Sequence, residues 1–226
     1  MTLTRALAER AARTVQDEGP APGSVQLAEE DYELAVREIL AQAPPEGIWL
    51  FAYGSLLWKP ECELGESRSA LVRGWHRAYC IRMLRFRGTL ERPGLMMSLD
   101  RGGRCRGMVF RLCDDVRGSL HKLLRRELVI KPPPQRVHWL AAETADGTVG
   151  AIAFVANRLS DRYVGKLAQD DIADVVATAA GSWGSCAQYL HETVARLEEL
   201  GIHDRNLWRL QQLVAERLQA ADTSIS

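Results

Sequence analysis

The spacing of apolar residues divides the chain into a strand-rich half and a helical half. Between residues 48 and 156 the apolar side chains form short runs or alternate with polar ones, as is typical of β-strands. Beyond residue 168 they recur every three or four positions, which predicts three helices. Strands followed by helices indicate an α+β fold rather than repeated βαβ units. Besides the strand that starts at residue 48, the predicted strands are residues 72–83, 95–99, 105–112, 137–143 and 149–156.

Glycine and proline clusters predict the boundaries of the N-terminal region. The cluster at residues 18–24 predicts a linker after an N-terminal helix. A second helix is predicted over residues 28–43, where two prolines then end it. We therefore expect three parts: an N-terminal helical extension (1–45), a main domain (46–221) and a short tail (222–226).

Single residues predict how several other elements begin and end. Asp146-Gly147 is a hairpin turn signal. Gly181 and Gly201 lie where helix C-caps are expected. One helix is predicted between the strands, beginning after Asp114 or Asp115, since either carboxylate can cap it.

Composition restricts the class of function. The 226 residues carry 29 basic and 29 acidic side chains, so no net charge attracts nucleic acid or an anionic membrane. The five cysteines are scattered and never form a C-x-x-C pair, which argues against a disulfide framework and a zinc site and favours a reducing cytoplasm. No apolar run approaches the roughly 18 residues that span a bilayer. We expect a cytoplasmic protein whose partner is a small molecule.

The apolar strand that starts near residue 48 runs directly into an aromatic-Gly-Ser step. Glycine tolerates unusual backbone angles and lets a ligand approach the main chain, so such a loop can direct several N–H groups at one carboxylate. Gly and Ser are also routine turn residues, so an ordinary turn is the alternative. The residues of this loop are Tyr53, Gly54, Ser55, Leu56, Leu57 and Trp58.

A carboxylate occupies an apolar position of the helix between the strands. Leu120, Leu123, Leu124 and Glu127 share one helix face at i, i+3, i+4 and i+7 spacing. If Glu127 is buried, loss of solvent raises its pKa toward neutral pH and suits it to general acid/base catalysis. In the alternative, the helix frays and Glu127 pairs at the surface with a nearby arginine, which is Arg125, Arg126 or Arg136.

These two segments, Tyr53 to Trp58 and Leu124-Arg125-Arg126-Glu127-Leu128, resemble the ChaC-like γ-glutamylcyclotransferases. That family carries a Tyr-Gly-Ser-Leu loop and one glutamate after an arginine. Further stretches resemble its bacterial members, so the resemblance covers roughly residues 48–214. These stretches are Val72-Arg73-Gly74-Trp75-His76-Arg77, Arg87-Gly88-Thr89, Pro93-Gly94, Asp100-Arg101-Gly102-Gly103, Cys105-Arg106-Gly107, residues 181–190 and Leu200-Gly201-Ile202-His203-Asp204.

The resemblance implies a compact β-barrel with surrounding helices and a lyase that needs no metal or cofactor. Its expected reaction converts glutathione to 5-oxoproline and Cys-Gly by attack of the glutamyl α-amine on the γ-carbonyl. Glu127 is the implied catalytic base, and the implied substrate-binding residues are Tyr53, Gly54, Ser55, Leu56, Leu57, Trp58, Arg87 and Tyr189. Two alternatives stay open: cyclisation of other γ-glutamyl amides or dipeptides, and a non-catalytic binding module.

Some of these residues have a second interpretation. Arg87 suits a substrate carboxylate, but it lies among other arginines of a run that can form a solvated face. Tyr189 can close the pocket or simply belong to the core. The chain departs from its relatives at Cys186, where asparagine is common, at Gln188, where glutamate is usual, and at residues 131–134.

Overall fold

The structure is a computed structural model, and it describes residues 1–113 and 115–223. The chain forms two units, each assembled from separate stretches of sequence. Unit 1 contains residues 1–23, 79–97 and the chain from residue 162 onward, and unit 2 contains residues 24–78 and 98–161. In chain order the elements are α1 (Arg5–Glu9), β1 (Val25–Gln26), α2 (Glu29–Ala41), β2 (Trp49–Ala52), a 3-10 turn (Ser55–Leu57), β3 (Leu64–Met83), β4 (Gly94–Leu112), α3 (Val116–Glu127), β5 (Ile130–Lys131), β6 (Gln135–Thr144), β7 (Gly147–Ala156), α4 (Gln169–Thr178), β8 (Ala180–Gly181), β9 (Gly184–Ser185), α5 (Cys186–Glu199) and α6 (Arg205–Thr223).

Five strands close into a barrel in the order β2, β4, β3, β6, β7. Strand β2 is fully buried and runs antiparallel to β4 and parallel to β7, so it joins the two ends of the sheet. The predicted hairpin at Asp146-Gly147 is confirmed, since Thr144 pairs with Gly147 at the turn between β6 and β7. The described chain combines this closed barrel with α-helices, so the expected α+β barrel fold is confirmed.

The strands predicted at residues 95–99 and 105–112 are a single long strand, β4. Gly102 and Gly103 separate the two apolar runs and have φ values of 109° and 67°. Glycine adopts these angles without the steric cost that a side chain brings. The two glycines therefore let the strand continue through a local distortion that the hydrophobic pattern interprets as a break.

Helices α2 and α3 of unit 2 form where the pattern predicts them. The Asp115 carboxylate caps α3 by accepting a 2.8 Å hydrogen bond from the Gly118 N–H, while Asp114 lies outside the described residues. The apolar stripe of α3 is almost completely buried at Leu120, Leu123 and Leu124. This stripe fixes the rotation of the helix about its axis and so determines where Glu127, its last residue, is placed.

Unit 1 contains the three C-terminal helices and the N-terminal segment. The predicted N-terminal helix is only five residues long, Arg5–Glu9. Leu3 is completely buried, and its N–H donates to Gln211 Oε1 at 2.7 Å. Gly201 follows α5 with a φ of 69°, as expected of a C-terminal cap. The cap predicted at Gly181 is wrong, because α4 ends at Thr178 and Gly181 lies in the short strand β8.

Within the described residues, no helix is both long and apolar enough to cross a bilayer.

Candidate functional site

The loop after β2 turns through one 3-10 turn, Ser55–Leu57. Gly54 precedes it with φ −138° and ψ −131°, which lies outside the helical and extended regions. The Leu57 N–H donates a hydrogen bond to the Gly54 carbonyl. The N–H groups of Trp58 and Lys59 both donate to the Ser55 carbonyl. Among the described residues, no hydrogen-bond acceptor engages the N–H groups of Gly54, Ser55 or Leu56. Three consecutive main-chain donors therefore stay available at the start of the turn.

A buried arginine holds the main chain where the loop begins. Arg77 of β3 is 9% exposed, and its Nε donates to the Tyr53 carbonyl at 2.7 Å. A second nitrogen of the same guanidinium donates to the Arg106 carbonyl on β4. Arg77 thereby ties the first residue of the loop to the barrel, since charged donors form the stronger hydrogen bonds.

The Tyr53 side chain is anchored inside the barrel. Its hydroxyl donates to the Phe154 carbonyl at 2.6 Å and accepts from Gln135 Nε2 at 3.2 Å. Gln135 is 1% exposed and also donates to Ser98 Oγ at 2.8 Å. With its ring and its carbonyl both fixed, Tyr53 supports the turn rather than presenting its hydroxyl to a ligand.

Gly107 is needed for the close contact between β4 and the strand that leads into the loop. A Cβ at this position lies only 2.5 Å from the Ala52 carbonyl oxygen and 2.8 Å from the Phe51 ring. Neither group can move freely, because both belong to the fully buried strand β2. The Cys105-Arg106-Gly107 stretch therefore has a packing role beneath the loop.

Glu127 ends α3 with its side chain only 12% exposed. Burial raises the pKa of its carboxyl, and the charge and hydrogen bond of Arg126 partly oppose that rise. Arg126 Nε lies 3.2 Å from Glu127 Oε1. The structure thus combines the two interpretations of the sequence: the carboxylate is largely buried, and it pairs with a neighbouring arginine.

Arg126 also reaches the end of the loop. Its Nη1 donates to the Lys59 carbonyl and lies 3.3 Å from Glu61 Oε1. One guanidinium therefore contacts both the main chain just after Trp58 and the Glu127 carboxylate. The predicted loop and the predicted base of unit 2 are brought together through this side chain.

The other two predicted residues, Arg87 and Tyr189, lie in unit 1 and contact each other. The Arg87 guanidinium stands 5.4 Å from the centre of the Tyr189 ring, and its Nη1 donates to the Ser185 carbonyl at 2.8 Å. Tyr189 is 6% exposed and packs edge-on against Tyr79. Arg87 is therefore held against an aromatic face rather than extended from a solvated run.

Cys186, one of the departures from the family pattern, is completely buried in unit 1. Its Sγ lies 3.1 Å from the Arg87 carbonyl oxygen and 3.6 Å from that of Leu95. Burial raises the pKa of this thiol to about 11. A thiol in this state is protonated at neutral pH and is a poor nucleophile.

One group of side chains in the described structure brings together atoms of the type that hold a metal. Glu29, Glu33 and His121 place their ligand atoms within 4.8 Å of one another. Arg125 pairs with Glu29, and Arg117 pairs with Glu33. Because a cationic side chain already neutralises each carboxylate, the arrangement suits ion pairing between α2 and α3 better than cation binding.

The sequence interpretation missed two supporting side chains, Arg77 and Gln135, and the contact of Arg126 with the end of the loop. Arg77 gave a signal, since it shares the inward face of β3 with Trp75 and Tyr79, where a charged residue is unexpected. Gln135 follows a proline run and gave none. Arg126 lies off the apolar stripe of α3, and its partners Lys59 and Glu61 are more than 60 positions away in the chain.

The chain is similar in sequence to known proteins. A family model described as ChaC-like protein matches residues 48–217. A glutathione-specific gamma-glutamylcyclotransferase of Escherichia coli (strain K12) is 37% identical over 171 residues, which cover 74% of this chain and 73% of that protein. A mouse protein, glutathione-specific gamma-glutamylcyclotransferase 1, is 31% identical over 150 residues, which cover 65% of this chain and 67% of its own length.

The fold was compared with solved structures. A γ-glutamyl cyclotransferase specific to glutathione from yeast superposes with a TM-score of 0.67, covering 75% of this chain and 96% of the yeast chain. Only 19% of the aligned residues are identical, so the similarity establishes a shared fold.

Proposed function

The chain belongs to the ChaC-like protein family, and from this premise we propose that it is a γ-glutamylcyclotransferase that cleaves glutathione into 5-oxoproline and Cys-Gly. The single observation that carries the site is the Arg126 guanidinium, which contacts both the largely buried Glu127 carboxylate and the main chain at the end of the Tyr53 to Trp58 loop. An ionisable base and a set of main-chain donors are the two parts that the reaction requires.

The reaction begins with proton removal. The α-amine of the glutamyl group is protonated at neutral pH and cannot attack until a base takes its proton. Glu127 is that base, because its raised pKa strengthens it while Arg126 favours the ionised form. The freed nitrogen then attacks the γ-carbonyl carbon within the same molecule, which makes the encounter effectively unimolecular.

The second step expels the amine. As the tetrahedral intermediate collapses, the ring nitrogen releases its second proton to water, the bond from the γ-carbon to the cysteine nitrogen breaks, and Glu127 returns its proton to that cysteine nitrogen. The products are the lactam 5-oxoproline and Cys-Gly, so the enzyme is a lyase with no covalent intermediate. Proton transfer by one positioned group is typically worth about 10²–10⁴-fold in rate.

The N–H groups of Gly54, Ser55 and Leu56 are the proposed anion donors. They suit either the substrate α-carboxylate or the oxyanion that forms on the γ-carbonyl. Donors directed at a developing oxyanion contribute about 3 kcal/mol each. The fixed carbonyl and ring of Tyr53 support this assignment, since they hold the start of the turn in one position.

Arg87 and Tyr189 are proposed as further substrate contacts. The stacking of the guanidinium on the tyrosine ring supports a fixed cation that is suited to a carboxylate. Replacing Arg87 with lysine keeps the charge but removes the planar geometry. We therefore expect a higher KM for glutathione with kcat changed less.

We place the reaction in the cytoplasm, where glutathione is kept reduced. All five cysteines are thiols in the described structure, which supports a reducing compartment. The balanced charge supports a small molecule rather than nucleic acid as the partner.

The test is a substrate panel with both products measured. Purified protein is incubated with glutathione, with γ-Glu-Ala and with a second γ-glutamyl dipeptide, and 5-oxoproline and the released amine are measured by mass spectrometry. Glu127→Gln is run beside Glu30→Gln, a change at an exposed glutamate of α2.

The proposal predicts equimolar 5-oxoproline and Cys-Gly from glutathione, loss of both in Glu127→Gln and no loss in Glu30→Gln. Preferred turnover of γ-Glu-Ala would keep the chemistry and reject glutathione as the substrate. Release of 5-oxoproline from none of the three would reject the enzymatic function in favour of a binding module.

A further inference from the structure

We propose that Arg126 is a positioning residue for Glu127, and that the main chain of Lys59 and the side chain of Glu61 hold Arg126 in its working orientation. The proposal rests on the proposed function, in which Glu127 is the base. It adds that one side chain, Arg126, fixes the position of the base relative to the end of the substrate loop.

The Arg126 guanidinium is held on several sides. Its side chain is 13% exposed, with Nε at 3.2 Å from Glu127 Oε1. Nη1 donates to the Lys59 carbonyl and lies 3.3 Å from Glu61 Oε1. A planar guanidinium that satisfies three separate acceptors has little freedom to rotate, so it fixes the Glu127 oxygen that it contacts.

The backbone conformation of Glu61 indicates that its contacts hold it in place. Glu61 has a φ of 64°, a left-handed conformation that residues other than glycine rarely adopt. Such angles persist only where neighbouring contacts determine them. Here the Glu61 carboxylate is contacted by Arg126 and, at 3.3 Å, by Lys59 Nζ.

Glu61 is too exposed for its ion pair to add much stability. Its side chain is 44% exposed, and ion pairs in that setting contribute little to stability. Its effect on Arg126 is therefore on orientation more than on folding energy.

Two effects of Glu61 on the base have opposite signs, which makes them separable. The negative charge of Glu61 raises the pKa of Glu127 directly. By holding Arg126 against Glu127, Glu61 lowers that pKa indirectly. The charged groups that face Glu127 are Arg126 from its own helix and Glu61 from the segment after the loop, with Lys59 beside Glu61.

Arg125 supplies a matched control on the same helix. It is adjacent in sequence, but its side chain is 49% exposed and pairs with Glu29, itself 53% exposed. Replacing Arg125 with methionine removes the same charge from the same turn of α3 without touching the Lys59 or Glu61 contacts.

The first experiment compares Arg126→Met, Arg126→Lys and Arg125→Met in the full chain. The pKa of Glu127 is read by 13C NMR of labelled glutamate, with the Glu127 signal assigned by its loss in Glu127→Gln. Arg126→Met should raise the pKa of Glu127, move the acid limb of kcat/KM to higher pH and lower kcat by about 10²-fold. Arg126→Lys keeps the positive charge but loses the planar guanidinium. We therefore expect kcat to fall, with a smaller change in the pKa of Glu127 than in Arg126→Met.

Unchanged pKa and kcat in Arg126→Met, relative to Arg125→Met, would overturn the proposal. Circular dichroism verifies that each variant folds, and Arg126→Lys carries the test if Arg126→Met does not fold. The NMR titration needs no turnover. A protein that does not cleave glutathione would therefore reject the proposed function while the coupling of Arg126 to Glu127 is still measured.

The second experiment separates position from charge with Glu61→Gln and Glu61→Ala. If Glu61 holds Arg126 in place, Glu61→Ala should raise the pKa of Glu127, whereas Glu61→Gln, which keeps an oxygen acceptor, should not raise it. If Glu61 acts only through its charge, both variants should lower the pKa of Glu127 equally. That second result would overturn the role assigned to Glu61.

Discussion

Two buried ionisable groups of this protein, Glu127 in unit 2 and Cys186 in unit 1, differ in how much solvent still reaches them. Burial raises the pKa of both. At Glu127 the adjacent Arg126 contributes a charge and a hydrogen bond, and the carboxylate keeps partial access to solvent. At Cys186 a backbone hydrogen bond to Leu95 and the charge of Arg87 also oppose the rise, but the thiol is completely buried and its pKa reaches about 11.

The difference shows why burial alone does not identify a functional group. A general base has to be reachable as well as ionisable, and of the two groups only the Glu127 side chain keeps some exposure. Cys186 behaves as a small apolar side chain packed against the carbonyls of Arg87 and Leu95. A counter-charge beside a partly accessible group is therefore the more useful sign of chemistry.

The largest expected effect separates these two groups by activity. Glu127→Gln should lower kcat for glutathione by at least about 10²-fold, because the variant lacks the carboxylate that accepts the proton. Cys186→Ser preserves size and should change kcat by less than about threefold, as the thiol has no chemical role. Initial rates of 5-oxoproline release measure both, and similar losses in the two variants would contradict the comparison.

The thiol itself supplies the next test. With a pKa of about 11, Cys186 has about 100-fold less thiolate at pH 8 than a cysteine of ordinary pKa. Alkylation by iodoacetamide, followed residue by residue with mass spectrometry, should label Cys186 at least about 100-fold more slowly than Cys in a reference peptide. Rapid labelling of native Cys186 would show that its burial or its pKa has been misjudged.

An added methyl group should destabilise the protein more beneath the loop than elsewhere in the barrel. Gly107→Ala forces a Cβ to within 2.5 Å of the Ala52 carbonyl oxygen, and the resulting overpacking should cost about 1–3 kcal/mol. Gly150→Ala is the matched control, because its Cβ meets only Pro44 at 3.7 Å. Chemical denaturation of both variants measures the difference, and equal stabilities would contradict the tight contact.

The smallest expected effect is on the free energy of unfolding, which ionisation of the buried Glu127 carboxyl lowers. Since the folded pKa of Glu127 is raised, its stabilising contribution is present at low pH and is lost as pH rises through that pKa. Glu127→Gln should therefore gain stability relative to wild type as pH rises above the ordinary glutamate range. The gain should be about 1.4 kcal/mol for each unit of raised pKa.

Urea denaturation from pH 4 to pH 8 measures this change, with Glu30→Gln as the control. A stability difference that does not vary with pH would show that the pKa of Glu127 is the same in the folded and unfolded states.

Much of this could be predicted from sequence, since local patterns decide much of the fold. The stripe of Leu120, Leu123 and Leu124 predicted both the helix and the inward face on which Glu127 lies. Errors arose where a few glycines decide the path. Gly102 and Gly103 let β4 continue where the pattern predicts a break. Helix α4 ends at Thr178, so Gly181 lies in the hairpin strand β8 and not at the helix end.

The contacts of Arg126 and Gln135 could not be predicted because they join distant segments of the chain. The Arg126 contact with Lys59 joins positions 67 apart, and the Gln135 contact with Tyr53 joins positions 82 apart. No periodicity encodes such pairs. The assignment of residues 1–45 as a separate extension and the roles of Arg87 and Tyr189 stay predictions.

The central claim, that Glu127 removes the proton from the glutamyl α-amine, is tested most directly by the pH dependence of Glu127→Gln. Without the base, turnover depends on the fraction of substrate whose amine is already free. The account predicts that 5-oxoproline release by Glu127→Gln rises about tenfold per pH unit until the amine is deprotonated, and that it stays below the wild-type rate because the departing nitrogen still lacks its proton donor. A variant rate that stays flat with pH, or a wild-type rate at neutral pH, would contradict the claim.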